Sequence, residues 1–320
     1  MKSQLKTISL ILLAFLVAAL SGCAPAVITD TTPVRIAVLP IVEGLPLYAA
    51  QDGGFFEKQG VKVEFIPTSS AAERDQLIAA GQADATINDL LAVALFNRDS
   101  IQLQVVRFAH VSAPGAPMYV IAAAPDSGIK TAKDLGGVEI GISQGSIIDY
   151  VTHRMLEGSG LAADQIKTIA VPKIPDRMAL LLSGQVKAAT LPQPFATIAT
   201  QSGALPIVDD TQFPGLGNSV VSFSKSFIDD HPQSVQNFLT ALNQAALAIN
   251  ADPEKYRSLL GKYKVVPDNI LAGFIIPTFP GDSLPTAQQF EDVVAFAQEQ
   301  QLITAPVSYS DSVNGSFLSK

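Results

Sequence analysis

The residues best placed for chemistry in this sequence sit where a run of alternating apolar residues gives way to a helical pattern. Three such turns between Val34 and Asp89 gather Glu43, Ser69, Ser70, Asn88 and Asp89. A later turn carries Gln144-Gly145-Ser146, and another carries Gln193. Backbone N–H groups and a hydroxyl at the positive end of a helix can hold an anion or a carbonyl. The amides of Asn88 and Gln193 offer donors and acceptors together, and Glu43 and Asp89 can accept N–H bonds. The three serines would equally serve as plain helix N-caps. The set suits recognition of a small polar molecule. Hydrolysis is poorly served, since His153 falls within a helical pattern and His231 at a helix start, and no nucleophile–His–acid set can be assembled. The histidines lack ligand spacing and there is one cysteine, so neither a metal nor another cofactor is expected.

These turns need strands and helices in alternation. Val34–Leu39 and Val61–Ile66 alternate at the period of a strand, and Ala83–Ile87 reads as a third. Between them, helical patterns end at Gly53-Gly54, Gly60 and Gly81. In an open α/β sheet, ligands lie beyond the carboxyl ends of the strands, which is where the polar turns fall. Gln102–Phe108, Met118–Ala122 and Val138–Ser143 read as further strands, and Ile147–Glu157 as a helix. A repeat follows. Arg74…Gly81-Gln82 and Arg177…Gly184-Gln185 keep Arg, Gly and Gln in register, each a helix ended by Gly before a short strand. The repeat predicts two similar α/β lobes, although helix–Gly–strand units resemble one another in many α/β proteins. Val220–Phe223 reads as a strand returning to the first lobe, and Pro232 opens a long helix with one apolar face. Arg107 reads as a structural ion pair. Tyr119, Tyr150 and Phe195 fall near the expected cleft, where core packing ranks ahead of stacking on a flat ligand.

The chain has 320 residues, 48% of them hydrophobic and 16% charged, the profile of a globular protein with a large core. Residues 1–22 hold Lys2 and Lys6 and no acid; without them, 19 basic residues face 29 acidic ones, a net charge of −10. That charge argues against nucleic acid as a partner. The same first 22 residues form a charged start and a short apolar core, the pattern of a signal peptide. They run into Leu20-Ser21-Gly22-Cys23, similar to a bacterial lipobox, in which the cysteine thiol takes a lipid. Residues 23–33 read as a tether.

The lipobox, the Leu45-Pro-Leu-Tyr helix, both Gly-Gln repeats, Gln144-Gly-Ser and Pro192-Gln-Pro-Phe occur in an order that resembles the type II periplasmic solute-binding proteins. The nearest branch includes those for aliphatic sulfonates, taurine, nitrate and thiamine-pyrimidine precursors. The resemblance runs from about Val34 to the C-terminus. It implies an α/β, two-lobed type II periplasmic binding protein fold with a ligand cleft between the lobes. It also implies a monomer that is not an enzyme, is lipid-anchored outside the cell membrane and delivers a small solute to an ATP-driven permease and its ATPase subunits. The lobes are expected at residues 34–115 with 223–320, and at 116–222. The sequence departs from the family pattern at Lys187, where an acid is frequent, and at Gln193, where Glu is frequent. It has no Trp and no Cys-rich motif. The solute is expected to be a sulfonate-like anion or a vitamin precursor. A flat heteroaromatic such as a pyrimidine precursor or flavin is the alternative, and a hydrolase-like or adhesive lipoprotein the less favoured one.

Overall fold

The computed structural model describes residues 32–111, 113, 116–213 and 215–318. The leader, Cys23 and the tether as far as residue 31 lie outside the described residues.

The chain first lays down strands β1 (Val34–Val38), β2 (Val63–Pro67), β3 (Ala85–Asn88) and β4 (Leu103–His110). It continues with β5 (Tyr119–Ala123), β6 (Glu139–Ile142), β7 (Lys167–Ala170), β8 (Ala188–Pro192), β9 (Leu205–Asp209) and β10 (Ser219–Ser224). Two mixed five-stranded sheets result, ordered β2-β1-β3-β10-β4 and β7-β6-β8-β5-β9. In each, three parallel strands are followed by one that is antiparallel to both its neighbours: β10 in the first sheet and β5 in the second. The shared plan explains the sequence repeat. The helix α2 (Ala71–Ala79) joins β2 to β3, and α5 (Ile174–Leu182) joins β7 to β8. Arg74 and Arg177 are each the fourth residue of their helix.

Burial explains which strands alternate. β3, β5 and β8 are buried along their whole length and, Asn88 at the end of β3 apart, read as apolar or small residues. β2 lies at a sheet edge, half-exposed, which is why its apolar and polar residues alternate. The other helices that matter to the site are α1 (Leu45–Asp52), α3 (Leu90–Phe96), α4 (Ile147–Gly158), α6 (Phe195–Gln201), α7 (Pro232–Ala251) and α8 (Ala287–Glu299). Pro232 is the first residue of α7, where its missing N–H costs nothing. The apolar face of α7 is buried, and Phe238 sets its ring 5.2 Å from Phe56 and 5.3 Å from Phe223 of β10. That helix therefore ties the returning strand to the N-terminal part of the chain.

Arg107 on β4 faces Asp282 at 3.4 Å and donates to the Pro280 carbonyl, a structural pairing. The C-terminal tail is tied to the first sheet: the Asn314 N–H donates to the Val105 carbonyl at 2.8 Å, and Val313 bridges to β4. Helices α4 and α8 are joined by side chains, with the Tyr150 hydroxyl donating to Asp292 at 2.5 Å and Arg154 to Glu299 at 3.0 Å. Among the described residues, no helix is long and apolar enough to cross a membrane.

Candidate functional site

A cavity of about 470 Å³, counted out to its open mouth, is lined by residues from both sheets. On the first-sheet side, Glu43 follows β1. Pro40 breaks the strand, and a single 3-10 turn, Val42–Gly44, turns the chain into α1. Gly44 permits this turn to pack closely, since a Cβ there would meet the Tyr48 ring at 3.1 Å. Glu43 is fully buried, and the Tyr119 hydroxyl of β5 donates to its Oε1 at 3.1 Å. Burial pushes the Glu43 carboxyl up to about 7, offset in part by the Ser219 and Tyr119 hydroxyls.

Asn88 ends β3, opposite Val220 of β10. The Ser222 hydroxyl donates to its Oδ1 at 2.7 Å, which fixes the amide and leaves Nδ2 without a partner. Asp89 caps α3 by accepting the Ala92 N–H at 2.9 Å through Oδ1, while Oδ2 stays unpartnered. Arg74 reaches the same wall from α2. Its Nε donates to Asp75 at 2.7 Å, and its Nη2 stands 3.9 Å from Asp89. Burial opposes the Arg74 charge, but Asp75 and Asp89 outweigh it and hold the pKa above its ordinary value. Burial raises the Asp89 carboxyl, against the pull of Arg74.

On the second-sheet side, Gly145 adopts φ +66°, the left-handed turn that brings β6 into α4. Ser146 caps α4, accepting from the Ile148 N–H, and its hydroxyl donates to the Ser143 carbonyl at 2.6 Å. Arg177 projects from α5 and is fully buried. Its stem lies beside Gly141 of β6, where a Cβ would be in ordinary van der Waals contact with Arg177 Cγ at 3.5 Å. Nη1 donates to the Val171 carbonyl at 2.8 Å, and Nε and Nη2 have no partner. Burial without a nearby acid lowers its pKa to about 10, so it remains a cation at neutral pH. The two sides touch where the Ile174 N–H donates to the Ser69 carbonyl at 3.4 Å.

Glu43, Asn88, Asp89 and Ser146 thus line one cavity, whereas Ser69, Ser70, Gln144, Gly145 and Gln193 are not on its wall. The Ser69 N–H and hydroxyl both donate to Glu73, and the Ser70 hydroxyl caps the Glu73 N–H. The Gly145 N–H is bound by Asp149 at 2.9 Å, and Gln144 is exposed. At both helix starts an acid one turn in takes up the N–H that a ligand would need. Gln193 accepts from the Thr197 hydroxyl at 2.8 Å and lines a separate cavity with Met118, Phe274 and Ile275. Tyr119 is on the main cavity wall, Tyr150 lines a smaller neighbouring cavity, and Phe195 is packed in the second core. Sequence reasoning missed the two arginines as site residues. The signal was the repeat itself, which kept an arginine at one register in both copies.

The profile of one protein family, described as NMT1/THI5 like, matches residues 42–256. The chain belongs to this family. The chain is 25% identical over 275 residues to a Haemophilus influenzae protein provisionally named for thiamine biosynthesis, covering 80% of this chain and 83% of the relative. It is 23% identical over 324 residues to a Bacillus subtilis protein provisionally named as binding aliphatic sulfonates, covering 97% and 96%. The fold matches the periplasmic aliphatic sulphonate binding protein SsuA of Escherichia coli with a TM-score of 0.73 at 19% identity, over 88% of this chain and 97% of that one. The desulfurization enzyme DSZB has the same fold, with a TM-score of 0.67 at 18% identity over 89% and 97%. The NMT1/THI5-like chain described here accordingly has the type II periplasmic binding protein fold, as the order of its motifs implied.

Proposed function

We propose that this chain is the solute-binding component of an ATP-driven importer, which captures a small organic anion between its two sheets and hands it to a membrane permease. The observation that carries the reading is Arg177, a fully buried cation on the cavity wall with two unpartnered donor nitrogens and no neighbouring acid. A buried, unpaired guanidinium is costly, and an anionic group supplies the missing partner. Sulfonate and carboxylate heads match its planar donor fork. The family, the fold and the sulfonate-binding relatives support the same reading. Turnover is disfavoured, because the cavity wall includes no His or Cys among the described residues and the Ser146 hydroxyl is spent on Ser143.

In this reading, residues 34–115 with 223–320 move as one lobe and residues 116–222 as the other. Closure follows binding because only the closed form lets both walls touch the solute. The test is a melting screen against alkanesulfonates, carboxylates and aminopyrimidines. An anion present at about 100 times its Kd should stabilise the protein by about 2.7 kcal/mol, without consumption of the compound. Small-angle scattering on the same samples should show a more compact particle. Stabilisation by the uncharged ring alone, or formation of product, would remove the reading.

The mature protein is proposed to stand outside the cell membrane, held by lipid on Cys23. The motif Leu20-Ser21-Gly22-Cys23 behind the apolar core supports this, and two acyl chains suffice for stable anchoring. The Cys23→Ser variant should appear in soluble fractions or stay unprocessed. Recovery of that variant as a processed, lipid-modified protein would count against the anchor.

A further inference from the structure

We propose that the chain has a second small-molecule site, in the cavity that Gln193 lines, and that this site takes an uncharged, largely apolar compound bearing one carbonyl oxygen. The inference stands apart from the anion reading of the first cavity. The second cavity measures about 580 Å³ out to its mouth, within the range of small-molecule sites. It lies back to back with the first. Glu43, Tyr119 and Pro192 face the first cavity, and their chain neighbours Val42, Met118 and Gln193 face the second. Three contacts close the wall between them. Tyr119 of β5 pairs with Pro192 of β8, the Gln193 N–H donates to the Met118 carbonyl at 2.9 Å, and the Tyr119 hydroxyl donates to Glu43.

The two cavities differ in chemistry. The first has Glu43, Arg74, Asp89 and Arg177 on its wall. Among the described residues, the second has no ionisable side chain on its wall, and Val42, Pro117, Met118, Phe274 and Ile275 make it apolar. An ion held there would lose its water and gain no counter-charge, so the occupant is uncharged. Gln193 supplies the polar contact. It is nine-tenths buried, and its Oε1 accepts both the Thr197 N–H at 3.3 Å and the Thr197 hydroxyl at 2.8 Å. A backbone N–H can only donate, so the oxygen has to be the atom turned to Thr197, and the orientation of the amide is settled. That leaves Nε2 with no partner among the described residues. Buried donors are ordinarily paired, so Nε2 marks the place of a ligand's acceptor. A carbonyl answers it, because it accepts without bringing a donor of its own.

The rim is apolar and held in place. Ile275 lies on it and is 67% exposed. The stretch that carries Ile275 is pinned at both ends. Arg257 donates to the Phe274 carbonyl at 2.6 Å, and Asn250 accepts the Phe279 N–H at 2.9 Å and donates to the Phe279 carbonyl at 2.7 Å. Arg257 is itself paired with Glu254 at 2.7 Å, so its charge is already matched. A rim fixed in this way needs little further ordering when a ligand covers it, and preorganisation of that kind favours binding.

Beyond Met1 the chain has three methionines, Met118, Met155 and Met178, and of these Met118 alone lines the second cavity. The experiment is therefore NMR on methyl-labelled methionine, with 2-heptanone as the uncharged probe and heptanoate and heptylammonium as charged probes of the same length. The ketone should shift the Met118 methyl saturably and leave Met155 and Met178 in place. The charged probes should bind at least about tenfold more weakly, since neither finds a counter-charge. Gln193→Glu keeps an acceptor for Thr197 and removes the donor, and should weaken the ketone about 2- to 12-fold, the worth of one hydrogen bond. Ile275→Ser, at an exposed position, should weaken it as well. Absence of a saturable Met118 shift, or an equal response to the charged probes, overturns the proposal, and neither result needs a variant to fold. Wild-type affinity for the ketone in both variants would also overturn it, by placing the ketone elsewhere. None of these results bears on the anion reading of the first cavity.

Discussion

Replacing Arg177 by Met should weaken anion binding by about 30- to 5,000-fold, the range expected when one partner of a buried, hydrogen-bonded charge pair is removed at a cost of about 2–5 kcal/mol. The same change should leave the ligand-free protein no less stable, and more stable by about 1–2 kcal/mol. The guanidinium is wholly buried without a neighbouring acid, and its pKa is held down near 10. Met retains the stem that packs on Gly141 and discards the desolvated charge. The bond from Nη1 to the Val171 carbonyl is lost, which returns about 1 kcal/mol of the gain. Opposite movement of affinity and stability is the signature of a residue kept for its ligand. Urea denaturation and calorimetry on the two proteins measure both. A variant that is less stable yet binds normally would mean that Arg177 supports the fold and does not contact the solute.

The second large effect concerns Glu43. Its folded-state carboxyl is raised from an ordinary 4.5 to about 7, chiefly by burial. The folded protein therefore binds more protons than the unfolded chain between those two values. The stabilising contribution is complete below the ordinary carboxylate pKa and is lost as pH rises through about 7. At 1.36 kcal/mol per pKa unit, the loss approaches about 3 kcal/mol. Gln has the same shape, keeps an oxygen for the Tyr119 hydroxyl and cannot ionise. Glu43→Gln should match the parent near pH 4.5 and exceed it by up to about 3 kcal/mol above pH 7.5. Urea midpoints measured across that range decide the matter, and parallel stability profiles for the two proteins would exclude a buried, titrating Glu43.

Much of the frame could be read from local periodicity. β1, β2 and β3 alternate or run apolar as their edge or central places require, and Pro232, Gly54 and Gly81 punctuate helices where a missing N–H or a left-handed backbone is tolerated. Of the candidate site's wall, Glu43, Asn88, Asp89 and Ser146 were legible as polar residues at strand ends or in the turns that follow them. Ser69 and Gly145 have the right position, yet Glu73 and Asp149 bind their N–H groups, a competition that depends on side-chain reach. Gln193 is turned toward Thr197 by the start of α6, which spacing alone does not reveal. The arginines were hidden for a different reason. Four residues into a helix, a long side chain can point back toward the strand ends or out to solvent, and only the packing of α2 and α5 on their sheets determines which.

Strand β10 also dictates a timetable. It lies between β3 and β4 in the first sheet, although about 110 residues separate it from β4 along the chain. A growing polypeptide can complete the second sheet once residue 209 has emerged, because β5 to β9 are consecutive. The first sheet has to wait for residue 224, and until then β3 and β4 present unpaired edges with no partner between them. Closing so long a loop is slow compared with local pairing. The half made first is therefore finished last, so a chain entering an export channel from its N-terminus would still be loose at the leading end while its middle was being made.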